Sequence, residues 1–474
     1  MPQISKETPQ IDFTADVVII GAGASGLTAA LAAAEKGVEV IVLERDTSPS
    51  GSTSMSSGFV PAPGTRFQQA IGVTDDTPDL FCADMMAKSY GKSDKRLTHL
   101  AATTIGQAME WLADAGRIEW HVLDDFLYPG HARHRMHAVP EKTGAALENR
   151  LLAATAEAGV TIVTEALAET LYVNDAGEVL AVGFSRPDGS VEGVGCKTLI
   201  LACNGYGGND RMIAEHIPQI SEGEYYGHAG NTGHAVAWGQ AFGAELKHLS
   251  GYQGHGSLAH PHGILISWAL MMQGAIQVNS EGRRFSNEMA GYSEQAVKVL
   301  AQPGKIAWNI YDRARHDFAV AGFPDYREAL EAGAIRSGDT VAELATATGL
   351  PASALAETIA EAQALAQGIG TDAFGRSFAG ISPLDGPFHA VKVTGALFHT
   401  QGGLVIEDDA RVRRTDGTAF PNLYASGGAA CGVSGPAVEG YLSGNGLLTA
   451  IAFGYLAGRN AASQTISDGQ GTIA

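Results

Sequence analysis

The chain has 474 residues, of which 45% are hydrophobic and 17% are charged, so it is long enough for two or three domains and can bury a large core. Lys and Arg number 31 against 51 Asp and Glu, a formal net charge of −20, which argues against nucleic-acid binding because phosphate contacts need a basic surface. The 60 glycines follow no triplet period, which excludes collagen and predicts close approaches of the backbone to a bound molecule.

Cysteine and hydropathy patterns narrow the class further. Cys82, Cys196, Cys203 and Cys431 have no CxxC spacing, which disfavours a dithiol centre, an attached haem and a Cys-rich zinc site, and no metal is expected. The N-terminus shows no basic segment followed by an apolar one. The longest apolar stretch, 446–458, is shorter than the roughly 20 residues of a membrane helix. We therefore expect a cytoplasmic protein without a membrane span.

The first predicted elements form a β–turn–α–β unit. An apolar run that begins at Asp16 ends in the G-x-G-x-x-G pattern of 21–26 and continues into an Ala- and Leu-rich helix that stops at Gly37. A second apolar run, 38–43, ends in Glu44. A strand, a glycine turn, a helix and a second strand ending in an acid are the order that a dinucleotide requires. The pattern therefore predicts dinucleotide binding.

Each part of this unit has a role in such binding. Gly21 permits a tight turn, Gly23 lets a pyrophosphate approach, and Gly26 lets the helix pack closely on the strand. The helix start offers unpaired N–H groups to phosphate, and Glu44 accepts a hydrogen bond from a ribose hydroxyl. The expected contacts in this unit are Gly21, Gly23, Ala24, Ser25, Gly26 and Glu44.

Later segments favour FAD over NAD. The loop 50–58 is rich in Ser, Thr and Gly, which suits a backbone lying against an isoalloxazine ring. After predicted strands at 166–173 and 179–184, a strand from Thr198 runs into a glycine loop that ends at Gly208. No second G-x-G-x-x-G follows a strand, so one dinucleotide is expected. The expected contacts in these segments are Arg45, Ser52, Thr53, Ser56, Ser57, Gly58, Ala202, Cys203, Asn204 and Gly205.

On these motifs the chain resembles the FAD-dependent fumarate reductase/3-ketosteroid dehydrogenase flavoprotein family, over nearly its whole length. More specific likeness lies in 278–288 (VNSEGRRFSNE) and 398–404 (FHTQGGL), and the segments 421–428 and 440–446 are also similar. The resemblance implies an α/β fold, in which a Rossmann-type FAD-binding domain of the glutathione-reductase-like kind carries an inserted α+β cap domain. The expected boundaries are 1–261 for the first part of the FAD-binding domain, 262–398 for the cap and 399–474 for the second part.

The resemblance also bears on the flavin. In this family the C-terminal segment closes over the flavin, and a helix N-terminus near the ring O2 stabilises the reduced anion; this implies contacts from Gly428, Leu442 and Ser443. The loop 50–58 carries Ser, Thr and Met where covalent members of the wider family carry His. FAD is therefore expected to be bound without a covalent link.

Two positions depart from the fumarate reductase pattern. Glu281 and Arg284 match the family's Glu and Arg of the proton-relay segment, and His399 matches a histidine that contacts a substrate carboxylate. Where those enzymes carry an arginine acid and a clamping arginine, this sequence has Tyr292 and Tyr441. A carboxylate clamp at these positions would lack its bidentate donors.

The ketosteroid dehydrogenase branch uses tyrosines at comparable places, so the chain resembles this ketone-dehydrogenating branch more closely. The resemblance implies that Tyr292 takes the α-proton, while Tyr441 and the Gly444 N–H polarise a ketone. Tyr441 and Ser443 also match the Tyr-x-Ser of the branch that desaturates between C4 and C5 of 5α-reduced 3-ketosteroids. The expected catalytic residues are Tyr292, Tyr441, Gly444, His399, Arg284 and Tyr128.

Two histidine-rich stretches are interpreted as loops. The stretch 128–137 contains Pro, Gly and three histidines, and is expected to line the substrate entrance with Tyr128 or His131 facing the flavin. A zinc site there is disfavoured because no Cys or acid stands at a ligand spacing. If Arg133 and Arg135 pointed inward, they would replace the missing carboxylate clamp. The second stretch, near the start of the cap, is expected to lie mostly at a solvated rim; it contains His255, His260 and His262.

The predicted function is that of an FAD-dependent oxidoreductase acting on CH–CH groups. It would introduce a C=C bond α,β to a ring ketone of a small molecule, a 3-ketosteroid or a cyclohexanone-type compound, with hydride transfer to flavin N5. One alternative is fumarate- or urocanate-reductase-like conversion of an unsaturated or saturated carboxylate, and another is a flavin-binding electron relay without turnover. No haem or Fe–S ligand set is visible, so an external acceptor is expected: a quinone, a flavoprotein, a dye or dioxygen.

Overall fold

The computed structural model describes residues 2–471 as a mixed α/β fold that divides into two compact units. The first unit is formed by Met1–His216, Gly227–Tyr252 and His399–Ala474, and the second by Ile217–Tyr226 and Gln253–Phe398. The second unit thus begins nine residues before the expected 262 and takes in ten residues from an earlier segment, because these pair with its sheet. The expected outer ends at 1 and 474 lie outside the described residues.

The strands and helices are numbered separately along the chain. The strands are β1 Gln3–Ser5, β2 Phe13–Ile20, β3 Val40–Leu43, β4 Val60–Pro61, β5 His121–Val122, β6 Met136–Ala138, β7 Thr161–Val163, β8 Leu167–Val173, β9 Val179–Ser185, β10 Val191–Leu201, β11 Glu224–Tyr225, β12 Leu246–Lys247, β13 Tyr252–Ala259, β14 Ile264–Leu265, β15 Ile276–Val278, β16 Ile306–Asp312, β17 Ile335–Gly338, β18 Phe388–Thr400, β19 Gly403–Leu404, β20 Arg411–Arg413 and β21 Ala419–Ala425. The helices are α1 Ala24–Ala34, α2 Arg66–Ala70, α3 Pro78–Lys88, α4 Lys95–Ala115, α5 Gly144–Glu157, α6 Asp210–His216, α7 His234–Phe242, α8 Ala269–Met272, α9 Tyr292–Leu300, α10 Arg313–Gly322, α11 Pro324–Glu331, α12 Val341–Thr348, α13 Ala352–Ala366 and α14 Asn445–Gly471.

The main sheet of the first unit contains the predicted β–turn–α–β unit. Its strand order is β1-β8-β9-β10-β2-β3-β7, with β21 beside the end of β10. The pairs β10–β2, β2–β3 and β3–β7 are parallel, and α1 makes the connection from β2 to β3. Strand β2 is almost wholly apolar and its last residues are buried, as expected for a parallel strand covered on both faces.

Helices α1 and α14 pack so closely that only glycine fits at the contact. A Cβ on Gly454 would lie 2.5 Å from the Ser25 carbonyl oxygen, and a Cβ on Gly458 would lie 2.1 Å from that of Ala29. Because the backbones touch, the position of the long α14 is fixed relative to the glycine turn before α1.

The second unit is built on a separate sheet. Its order is β14-β13-β18-β16-β15, and β11 and β17 also pair with β18. Helices α8 to α13 belong to this unit, and two hydrophobic clusters fill it, one with Trp268 and Tyr311 and the other with Leu355 and Ile359. None of the helices in the described part of the chain combines the length and hydropathy needed to cross a bilayer.

Candidate active site

The glycine turn after β2 has the backbone geometry that the sequence predicts. Gly21 has a φ of 104°, and a Cβ there would lie 2.6 Å from the Ala202 carbonyl oxygen. A Cβ on Gly26 would lie 1.9 Å from the Gly21 carbonyl oxygen. Gly23 is different, since its Cβ would meet only the Thr53 hydroxyl oxygen, at 3.4 Å. The turn is therefore closed toward the protein at two glycines and open at the third, where a pyrophosphate would approach.

The polar groups around this turn are already positioned. The Ala22 N–H donates to Glu44 Oε2 at 2.9 Å, and the Asp46 N–H donates to Glu44 Oε1 at 3.0 Å. Each carboxylate oxygen keeps a lone pair for a ribose hydroxyl. The Ala24 N–H donates to Thr53 Oγ1 at 3.0 Å, so the serine- and threonine-rich loop is attached to the start of α1.

Two further loops meet the loop 50–58. Ser52 Oγ accepts from Asn204 Nδ2 at 3.1 Å and from Asn231 Nδ2 at 2.9 Å. Ser56 Oγ donates to the Thr53 carbonyl and accepts from the Gly58 N–H. Asn231 lies outside the segments in which flavin contacts were predicted, and only the fold brings it to Ser52.

The C-terminal segment reaches the same turn. Ser25 Oγ and Ser426 Oγ are 2.7 Å apart, and a Cβ on Gly428 would lie 2.1 Å from Asn204 Oδ1. A Cβ on Gly205 would lie 2.0 Å from Thr400 Oγ1, so this loop also has no room for a side chain. Burial raises the pKa of the Cys203 thiol to about 12, which makes this cysteine a neutral packing residue.

The remaining expected contact on this side, Arg45, follows Glu44 directly. Its guanidinium lies 3.4 Å from Asp46 Oδ1 and from His228 Nδ1, and it lies flat against Gly230, where a Cβ would be 1.8 Å away. The open glycine turn, the fixed Glu44 carboxylate and the small residues of three converging loops fit FAD in size and in polarity. When bound, FAD supplies a hydride acceptor.

A group of neutral donors lies at the start of α14. Gly444 has a φ of 86°, and a Cβ there would lie 2.5 Å from Pro61 Cδ. The ring of Tyr441 lies 5.6 Å from that of His399, edge to face. A Cβ on Gly446 would lie 2.8 Å from His399 Nε2, so the imidazole covers the first turn of the helix. The phenol, the imidazole and the N–H groups of the helix start are therefore brought together.

Burial changes the chemistry of His399. It lowers the pKa of this imidazole to about 4, so the ring is neutral at physiological pH. A neutral imidazole polarises an oxygen with one N–H bond and contributes no positive charge. The sequence analysis identified His399 and Tyr441 but missed Gln401, Ser434 and Asn445, which link to His399 behind the site.

The histidine-rich stretch 128–137 packs against the segment that precedes α14. His131 is buried, its Nε2 lies 3.0 Å from the Ser443 carbonyl oxygen, and burial lowers its pKa to about 3. A Cβ on Gly130 would lie 2.8 Å from Leu442. Tyr128 packs with Phe59 and Phe126. The stretch therefore supports the segment that carries Tyr441, because it packs beneath 442–443.

Neither arginine of this stretch is available as a carboxylate clamp. Arg135 is fully buried and donates to both oxygens of Asp76 and to Asp84. Arg133 forms a two-pronged ion pair with Asp75. The suggestion that these arginines replace the missing clamp is thus wrong, since Asp75, Asp76 and Asp84 neutralise them. Among residues 2–471, no group of three His, Cys, Asp or Glu is arranged to hold a metal.

In the second unit, Tyr292 lies in an aromatic cluster. It begins α9 directly after Gly291, whose φ is 147°. Its ring centroid lies 4.9 Å from that of His255, which stacks on Phe398 at 5.0 Å and meets Trp268 edge to face at 5.8 Å. The expectation of a rim position is wrong for His255, because it lies on the buried strand β13. Burial lowers its pKa to about 3, so this cluster is neutral.

Arg284 belongs to a buried ion cluster of the same unit. Its Nε and Nη2 donate to the two oxygens of Glu288, and Nη1 donates to Asp372 at 2.5 Å. Arg376 pairs with the same Glu288 at 3.1 Å. Glu281 lies in the adjacent turn, where its N–H donates to Asn279 Oδ1 at 3.0 Å. The guanidinium of Arg284 is thus saturated by carboxylates and holds this segment in shape.

Comparison with known proteins agrees with these features. The model of the FAD binding domain family matches residues 16–447. A probable fumarate reductase, Ifc3, from Shewanella frigidimarina is 30% identical over 96% of this chain and 76% of its own length. A 4-oxocyclohex-2-ene-1-carboxylate 5-dehydrogenase from Sinomonas cyclohexanicum is 26% identical over 94% of this chain and 93% of its own length.

Two solved structures show the same fold. A flavocytochrome c3 fumarate reductase in an open conformation has a TM-score of 0.81 and 29% identity, covering 96% of this chain and 79% of that one. The 3-ketosteroid-Δ4-(5α)-dehydrogenase from Rhodococcus jostii RHA1, in complex with 4-androstene-3,17-dione, has a TM-score of 0.75 and 26% identity, covering 97% of this chain and 99% of that one. The chain therefore belongs to the FAD binding domain family and is an FAD-dependent oxidoreductase that acts on CH–CH groups.

Proposed function

We propose that this chain is a dehydrogenase that introduces a C=C bond α,β to a ring ketone, of the 3-ketosteroid or cyclohexanone type. The observation that carries the proposal is the neutral set of donors at the start of α14. Tyr441, His399 and the N–H groups around Gly444 can all donate hydrogen bonds without a positive charge. Such a set suits a ketone oxygen, which gains negative charge only as the reaction proceeds.

The proposed roles follow from this set. The Tyr441 phenol and the Gly444 N–H hold the ketone oxygen, and the positive end of α14 stabilises the developing enolate. Enolate stabilisation acidifies the α-carbon, and we assign removal of its proton to Tyr292, which accepts it as a phenolate. The β-hydrogen would leave as hydride, for which bound FAD would supply the acceptor. Electrons then pass to an external acceptor, which we take to be a quinone, a flavoprotein, a dye or dioxygen.

The arginines discussed above are already paired with acids, which supports a substrate other than a dicarboxylate. Arg133, Arg135 and Arg284 are each paired with at least one acid. At Arg135 or Arg284, a dicarboxylate would have to displace a buried acid and leave it unpaired, which is costly; the partner of Arg133 is exposed. A ring ketone carries no charge, so it can bind without displacing any of these acids.

The named relatives support both the proposal and one alternative. The Rhodococcus and Sinomonas enzymes are named for a ring ketone, and the second of these also for a carboxylate. The Shewanella relative is named as a fumarate reductase and is more similar in sequence, at 30% identity. Conversion of an unsaturated or saturated carboxylate is therefore the second candidate, and the retained His399 favours it.

Anaerobic reduction of the bound flavin separates the two candidates. A panel of saturated cyclic ketones, including 5α-reduced 3-ketosteroids, is compared with succinate and other saturated carboxylates, and bleaching of the flavin band is followed. We expect ring ketones to reduce the flavin faster. Arg133→Ala serves as a control that keeps activity, and Tyr441→Phe as a variant that loses most of it. Faster reduction by succinate, with Tyr441→Phe fully active, would overturn the ketone assignment.

We further propose that a Rossmann-type FAD-binding domain holds FAD without a covalent link. The loop 50–58 offers Ser, Thr and Met and no histidine for attachment to the ring. Acid precipitation should then leave the yellow colour in the supernatant, and colour retained in the pellet would contradict this proposal.

A further inference from the structure

A chain of three hydrogen bonds runs behind the candidate site of the first unit. Asn445 Nδ2 lies 2.9 Å from Ser434 Oγ, and Ser434 Oγ lies 2.6 Å from Gln401 Oε1. Gln401 Nε2 lies 3.0 Å from His399 Nδ1. Asn445, Ser434 and Gln401 are all buried, so water does not compete for these bonds. The chain starts at the first residue of α14 and ends on the imidazole that covers the same helix start.

The chain has a direction, because a hydroxyl carries only one proton. Ser434 accepts from the Asn445 amide and must therefore donate to Gln401 Oε1. This fixes the Gln401 side chain with its NH2 group toward His399. An amide NH2 group only donates, so His399 Nδ1 is the acceptor and has no proton.

Either orientation of the Asn445 amide leaves one buried polar atom without a partner. In the observed orientation, Asn445 Oδ1 is a buried oxygen for which the described residues offer no hydrogen-bond partner. Rotating the amide would pair this oxygen with Ser434 but leave both N–H groups of Asn445 without a partner. A competing contact exists on the other side of the ring, where the Thr400 carbonyl oxygen lies 3.3 Å from His399 Nδ1 and would accept from the opposite tautomer. The Gln401 contact is shorter, at 3.0 Å.

We propose that Gln401 is a positioning residue that fixes His399 as the neutral Nε2–H tautomer, so that His399 donates a hydrogen bond to substrate and does not act as a base. The edge with Nε2 is the one that lies over Gly446. A donor at this edge selects for an oxygen acceptor in the substrate, whereas an unprotonated Nε2 would repel one. The tautomer stands independently of the reaction; the selection for a ketone oxygen rests on the proposed function.

Nitrogen NMR tests the tautomer directly on the FAD-loaded protein. Ring-labelled histidine is incorporated, and the His399 signals are identified by their loss in His399→Gln. At neutral pH we expect Nδ1 to resonate as an unprotonated nitrogen and Nε2 as a protonated one. A protonated Nδ1, or an averaged pair of signals, would overturn the proposal.

Two substitutions at Gln401 separate positioning from simple packing. In Gln401→Glu, the carboxylate accepts from Nδ1, so the ring should become an imidazolium whose signals show both nitrogens protonated at neutral pH. In Gln401→Met, which keeps the volume, the ring should turn its Nδ1–H to the Thr400 carbonyl. If Gln401 only fills space, Met leaves the tautomer unchanged, and that result also overturns the proposal.

Kinetics connects the tautomer to substrate choice. We expect Gln401→Met to lower kcat/KM for a ring ketone by about 10–100-fold, by analogy with the loss of a partner that orients a metal-bound histidine. Gln401→Glu should lower kcat/KM for the ketone and lower KM for a saturated carboxylate, because the ring is then positive. If the NMR signals are as expected but ring ketones fail to reduce wild-type flavin, the proposed function is wrong while the tautomer assignment holds.

Discussion

Glu148 is a carboxyl group that the proposed reaction does not use. It lies on α5 and is 1% exposed. Burial raises its pKa from 4.5 to about 7; Ser54 opposes this shift, and the negative charge of Glu44 adds to it. A carboxyl whose pKa is raised by folding is neutral in the native protein over a pH range in which the unfolded chain has already ionised.

The shift of Glu148 has a sign that can be measured. Below pH 4.5 Glu148 is protonated in both the folded and the unfolded state, so it does not lower the free energy of unfolding. Between pH 4.5 and 7 only the unfolded state loses the proton, so the free energy of unfolding falls as pH rises. Above pH 7 the full cost is on the order of 3 kcal/mol. We expect Glu148→Gln to stabilise the protein more at pH 8 than at pH 5, by about 2–3 kcal/mol in the free energy of unfolding. Denaturant titrations at both pH values measure this difference, and parallel curves for the two proteins would contradict it.

Removal of the hydroxyl group should affect catalysis differently at Tyr441 and at Tyr292. Tyr441 works as a donor, and the Gly444 N–H still holds the ketone oxygen in Tyr441→Phe, so some activity remains; one lost donor typically costs about 10²–10³ in rate. Tyr292→Phe removes the assigned base and should abolish proton removal. Exchange of the α-hydrogen of a bound ketone in D₂O distinguishes them: slow exchange in Tyr441→Phe and none in Tyr292→Phe. Normal exchange in Tyr292→Phe would mean that another residue is the base.

At the scale of elements, the contact of α1 with α14 depends on glycine. A Cβ on Gly458 would lie 2.1 Å from the Ala29 carbonyl oxygen. This oxygen belongs to the backbone, so it cannot move away by rotation of a side chain. Gly458→Ala should therefore force the helices apart and lower the free energy of unfolding by about 1–3 kcal/mol, despite the better helix propensity of Ala. Gly322→Ala is the matched control, since nothing lies within 4 Å of a Cβ at that helix end. Thermal unfolding of both variants tests the difference; equal midpoints would show that the contact adapts.

Elements that depend on local pattern were predictable from sequence. The apolar runs and glycines around 16–44 predict β2, α1 and β3 with ends within about three residues, because strand and helix periods are local properties. The predicted strands at 166–173 and 179–184 correspond to β8 and β9. The resemblance identified the residues at the start of α14, since family motifs preserve functional positions.

Partners distant in sequence were not predictable. Arg284 pairs with Asp372, which lies 88 residues away in the sequence, and no local pattern predicts that pair. The ten residues 217–226 belong to the second unit because β11 pairs with β18, and a two-residue strand has no period to detect. The chain of hydrogen bonds from Asn445 to His399 joins polar side chains that form no recognisable sequence motif. They acquire a role only because the fold buries them together.

At the scale of the whole molecule, the formal net charge of −20 bears on which substrates arrive easily. An excess of acid gives the chain a negative potential, which slows the approach of anions and leaves neutral molecules unaffected. The buried acids of the ion pairs already have partners, so this potential comes mainly from exposed carboxylates. The negative potential would thus repel a dicarboxylate on approach, and the arginines described above are already paired with acids.

Ionic strength tests this last point without any substitution. The Debye length falls from about 30 Å at 0.01 M salt to about 8 Å at 0.15 M, so added salt screens the approach of a charged substrate. We expect the bimolecular rate of flavin reduction by succinate to rise with salt, and the rate with a neutral cyclohexanone-type ketone to stay constant. The neutral ketone also controls for effects of salt on the enzyme itself. A succinate rate that falls as salt is added would reveal a positive local field that attracts anions, and would favour the carboxylate alternative over the ketone.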